Sequence, residues 1–107
     1  MGFSKWIMKK GAIGGAARLF IRAYKNERER NPDVPDIDIY KKIISWRTSI
    51  TGQDWLKDEK IEDAESPREF VLLMVGSERA ADVSMDFNLV RTIEEVINEV
   101  CDEENFD

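Results

Sequence analysis

Four consecutive residues, Ser66-Pro67-Arg68-Glu69, constrain the fold of this chain more than any others. A serine at a helix start accepts a hydrogen bond from a backbone N–H that has no partner inside the helix. Proline suits the next position, where its missing N–H costs nothing. Glutamate three residues after the serine completes a reciprocal capping box. A helix is therefore predicted to begin here. The run that follows, Phe70-Val71-Leu72-Leu73-Met74-Val75, is apolar on every side and marks a central element. A buried strand reads the same way over six residues, so a strand at 70–75 in an α+β fold is the alternative.

Three other segments carry helical periodicity. Within residues 3–30, Phe3, Trp6, Ile7, Ile13, Ala17, Phe20, Ile21 and Tyr24 share one side, with Arg18, Arg22 and Lys25 opposite. Lys10 falls inside the apolar stripe. Gly11, Gly14 and Gly15 each cost a helix interior about 1 kcal/mol relative to alanine, so a bend or a close helix contact is expected there. The regular helix should start at Gly14 or Ala16, pass through a solvated stretch at 26–30 and stop before Asn31-Pro32. Pro32 and Pro35 mark a connector. Asp36 or Asp38 can cap a second helix, with Ile39, Tyr40, Ile43, Ile44 and Ile50 on its apolar face, Trp46 at the edge and Gly52 as C-terminal cap. Residues 53–65 are acidic and weakly patterned, anchored by Trp55 and Leu56. A break is expected within 76–85. A last helix should run from about Asp86 to Cys101, with Val90, Ile93, Ile97 and Val100 recurring at three and four, Leu89, Val96 and Cys101 alongside, and Glu94, Glu95, Glu99 and Asp102 facing away. The acidic stretch 102–107 is expected to fray. The predicted fold is all-α, three or four helices around one core, forming a single small helical domain over 1–107 with 1–10 as a loose basic arm.

Composition removes several kinds of chemistry. The 107 residues include no histidine, which excludes imidazole bases, Ser-His and Cys-His nucleophile pairs and histidine-based metal sites. Cys101 is the single cysteine, so no intramolecular disulfide forms. Carboxylates three apart, Glu59 with Glu62, Glu62 with Glu65 and Glu99 with Asp102, have a spacing that can hold Mg²⁺ between helices. The spacing is similar to that of all-helical nucleotide pyrophosphatases. Those enzymes pack apolar residues around the acids, and 57–65 lacks that pattern, so these side chains read as a solvated face. The glycines at 11–15 lack the preceding strand and the Gly-Lys-Ser/Thr of a phosphate loop. Neither an enzyme, a cofactor nor a metal is expected.

The net charge of −6 is unevenly distributed. Six of the 16 basic residues lie in 1–25, which has no acidic residue; the other ten accompany all 22 acidic residues, a net of −12 over 26–107. Such asymmetry marks either a basic arm docked on its own acidic body or a basic contact segment. The expected function is a non-enzymatic interaction module, using a helical groove or its acidic surface against a basic protein partner. The alternative is a peripheral membrane protein whose basic N-terminal segment lies on an anionic bilayer. Phe3, Lys5, Trp6, Lys9, Lys10 and Trp55 are the candidate contact residues. The acidic balance opposes nucleic-acid binding. No apolar run approaches the roughly 20 residues of a membrane span. Lys9 and Lys10 interrupt any signal-peptide centre, and Trp6 misfits a myristoylation motif at Gly2. A cytoplasmic location is expected.

Overall fold

The computed structural model describes residues 9–54, 61–83 and 87–107. Among these the architecture is all-α, and they contain no strand. The long helices are α1 (Ala12–Arg30), α2 (Asp36–Thr51), α3 (Pro67–Val83) and α4 (Phe87–Glu103), with a 3-10 turn at Ile61–Asp63. Helix α1 packs against the other three, and α3 packs on α4.

Each helix starts or stops for a local reason. Lys9 and Lys10 are helical, Gly11 forms the bend before α1, and the Lys9 backbone lies against the first turn of α1. The approach is so close that a Cβ on Gly14 would sit 1.9 Å from the Lys9 carbonyl oxygen. Arg18 Nη1 donates to that same oxygen at 3.0 Å. Lys10 precedes the bend and is exposed, which is why it escapes the register of the α1 stripe. At the other end of α1, Arg28 departs from the solvated reading of 26–30. Its guanidinium donates to the carbonyls of Val34 (2.6 Å), Pro32 (3.2 Å) and Asn31 (3.3 Å), pairs with Asp36, and so ties the connector 31–35 to the helix. Tyr24 Oη donates to Asp36 Oδ1 at 2.6 Å. Asp36 is the first residue of α2 and makes no cap hydrogen bond; its carboxylate serves this cluster instead. Gly52 closes α2 with φ of 73°, and its N–H donates to Thr48 O at 2.9 Å.

The capping box at α3 forms with one change. Glu69 N–H donates to Ser66 Oγ at 3.2 Å, while the Glu69 carboxylate reaches past the serine to the Glu65 N–H at 2.5 Å. Residues 70–75 are helical, which discards the strand alternative. Phe70, Val71, Met74 and Val75 are fully buried, and Leu72 and Leu73 pack half-buried against the core. Their burial carries the helix through Gly76 to Val83, so the break falls later than that glycine.

Two expectations fail on tertiary grounds. Ile50 shares the apolar face of α2 in projection but is 60% exposed; the covered face shifts along the helix and reaches Thr48 instead. The stretch 102–107 does not fray. Asn105 takes φ of 53°, Phe106 N–H donates to Cys101 O at 2.8 Å, and Asn105 N–H donates to Asp102 O at 3.2 Å, the two bonds of a Schellman motif. Phe106 is then 5% exposed, edge-on to Tyr24 at 5.6 Å. Arg68 donates its N–H to Asp107 O, its Nε to Phe106 O, both at 3.0 Å, and its Nη2 to Asp102 at 2.7 Å.

The core is aromatic at its centre. Phe70 stands edge-on to Phe20, with ring centroids 6.3 Å apart, and stacks on Tyr40 at 4.2 Å. Ile93, Ile97, Val100 and Cys101 join this core from α4.

Candidate functional site

Helix α1 has two stripes of different character. One stripe, with Ala17, Phe20 and Ile21, is buried in the core. The other lines a groove of about 770 Å³ between α1 and α2. It recurs every three to four residues, as the helical period requires: Gly15, Arg18 and Leu19, Arg22 and Ala23, Asn26 and Glu27, Arg30. Lys42, Ile43 and Trp46 face it from α2. Leu19 and Ala23 are half-buried, and Trp46 is 42% exposed. Four of the lining residues are cationic and one is a carboxylate. That carboxylate, Glu27, already lies 3.1 Å from Lys42 and 3.7 Å from Arg30. Arg22 is exposed and makes no ion pair among the described residues. The groove is therefore an apolar strip edged by positive charge, on a chain whose net charge is −6.

Phe3, Lys5, Trp6 and Trp55 fall outside the described residues. Lys9 is half-buried with Nζ 2.7 Å from Glu103 Oε1. Its hydrogen bond holds the Glu103 carboxyl below the usual carboxylate range. Lys10 is exposed. Neither lines the groove. In the described part of the basic segment, three cations meet the acidic end of α4. Lys9 and Arg18 approach the Glu103 carboxylate, Arg18 at 3.7 Å, and Lys25 Nζ donates to Glu104 O at 3.0 Å. The groove residues were legible only in part: Leu19 and Ala23 sit four apart on the basic side of α1, outside the apolar stripe read from sequence, and Ala23 also packs half-buried against the core.

The Cys101 thiol is fully buried, and burial pushes its pKa up, with Asp102 and Asp107 adding to the shift and Arg68 opposing it. Burial and the bond to Asp36 raise Tyr24. Among the described residues, no three Cys, Asp or Glu side chains converge as a metal site, and no helix is long and apolar enough to cross a membrane. The glycines at 11, 14 and 15 form a bend and a helical turn rather than a phosphate-cradling loop. In comparisons with known proteins, no family model matches the chain, and no curated protein or solved structure matches it.

Proposed function

We propose that this protein is a non-enzymatic helical interaction module that binds a protein partner in the groove between α1 and α2. The observation that carries the reading is the apolar strip of Leu19, Ala23 and Trp46, unfilled among the described residues, within a concave, four-turn surface. Concave apolar surfaces with a few polar groups around them are the usual form of a recognition site. An exposed tryptophan beside a half-buried leucine supplies the kind of anchor on which binding energy concentrates. Two carboxylates of the acidic surface, Asp102 and Glu103, are already paired with Arg68 and Lys9.

Selection of random 16-residue peptides displayed against the immobilised protein tests this reading. Enriched peptides should lose at least about tenfold in affinity for Leu19→Asp and for Trp46→Ala, both still helical by circular dichroism, and should be indifferent to Glu94→Lys on the far side. No enrichment, or peptides that bind Leu19→Asp as well as the parent, would defeat the reading.

A further inference from the structure

We infer that the groove receives an acidic amphipathic helix from its partner. This deepens the interaction reading and depends on the groove being the binding site. Length comes first. The stripe from Gly15 to Arg30 spans 15 helical rises, about 22 Å, which matches four turns of a helix laid along it. Shape comes second. Leu19 and Ala23 are one turn apart on α1, and Ile43 and Trp46 nearly one turn apart on α2. Such walls accept apolar side chains spaced i, i+3 or i+4, and i+7, the pattern of helix-in-groove recognition.

Charge decides the rest. The lining holds four cations and one carboxylate; Glu27 engages Lys42 and Arg30, and Arg18 also reaches Glu103 at 3.7 Å, which leaves Arg22 without an ion pair among the described residues. Its least engaged member, Arg22, stands at mid-groove. Acidic residues flanking the apolar stripe of an incoming helix would meet Arg18 and Arg22 on one side and Lys42 on the other. The overall charge of −6 does not cancel this attraction, because exposed charges beyond about 8 Å are screened at physiological salt. It does discriminate among anionic partners. A bilayer presents a broad anionic plane to the whole acidic body, whereas a single helix covers only the groove. Nucleic acid would bring phosphates to Leu19, Ala23 and Trp46, which offer them nothing.

Isothermal titration of the full chain with synthetic peptides tests the inference. The probe is an 18-residue peptide with leucine at i, i+3, i+4 and i+7 and glutamate on the flanking positions. Controls are the same peptide with lysine for glutamate, the glutamate peptide with two central prolines, and vesicles containing 30% phosphatidylserine. The glutamate peptide should saturate at one per chain, and the lysine and proline peptides should bind at least about tenfold more weakly. Arg22→Glu combined with Lys42→Glu should weaken the glutamate peptide about tenfold and reverse the preference toward lysine. Affinity should fall about fivefold between 50 and 300 mM NaCl. Equal binding of the lysine or proline peptide overturns the inference, as does indifference to the charge reversal. Groove-dependent sedimentation with vesicles, without peptide saturation, overturns it in favour of a membrane surface. The two readings separate cleanly: displayed peptides that need Leu19 and Trp46 but are neutral or basic leave the interaction module standing and remove the acidic helix alone.

Discussion

The side of the bundle where α3 and α4 close on α1 and the side where α2 closes on α1 are built from similar helices, yet they end differently. On the first, Phe20, Phe70, Val71, Met74, Val75, Val96, Ile97 and Val100 are all buried to completion. On the second, Ile39, Tyr40, Ile43 and Ile44 are buried, but Leu19, Ala23 and Trp46 retain open surface along one edge. The tight side supplies stability and the loose side leaves apolar area and charge for another molecule. Mutations therefore sort by side, and the expected effects run from the core outward.

Phe70→Ala should have the largest effect, about 3–5 kcal/mol, since it removes both the edge contact to Phe20 and the stack on Tyr40 and leaves a cavity. Trp46→Ala on the loose side should cost under about 1 kcal/mol. Denaturant midpoints measure both; comparable losses would erase the distinction between the sides.

Adjacent glycines sharpen the contrast within a single turn. Gly14→Ala should destabilise by about 1–3 kcal/mol, because the Lys9 backbone occupies the space and must move. Gly15→Ala should stabilise by about 0.5–1 kcal/mol, because its Cβ meets nothing and alanine restricts the unfolded chain. Thermal melts of the two variants should move in opposite directions, and a shift of the same sign would show that the Lys9 backbone does not hold against α1.

Ser66→Ala should cost about 1 kcal/mol through loss of the acceptor for the Glu69 N–H. An unchanged urea midpoint would mean that α3 does not depend on its cap.

The smallest effect is electrostatic. The Glu103 carboxyl titrates below its ordinary value because Lys9 bonds its ionised form. Its contribution is therefore complete above about pH 4.5, the unfolded value, and is lost as pH falls through the lower folded value. The stability difference between the parent and Glu103→Gln should be present at pH 7 and vanish once the pH falls below the lowered folded value. A difference that persists at low pH would assign the effect to packing.

The capping box and apolar run at 66–75, the prolines at 32 and 35, Gly52 as a left-handed cap and the i, i+3, i+4 spacing of 93–100 were enough to predict three or four helices and most of their inward faces, because each is a local rule of backbone geometry. The same locality explains the failures. Ile50 lies on the apolar face in projection, but exposure depends on where neighbouring helices end. The stretch 102–107 is polar in composition, but one phenylalanine in a Schellman turn is enough to bring it down onto Tyr24.

Charge followed the same division. The sequence shows a basic segment and an acidic remainder without showing which of these charges meet. The fold spends Lys9 on Glu103, Arg28 on Asp36 and Arg68 on Asp102, pairs separated by 8 to 94 positions in the chain. It leaves Arg22 beside Leu19 and Trp46. By itself the sequence determined the class of fold, the helix boundaries within a few residues and the absence of histidine chemistry. Only the tertiary structure decided which apolar residues remain uncovered and which cations remain open beside them. Both depend on long-range packing of whole helices, which the period of a single helix does not encode.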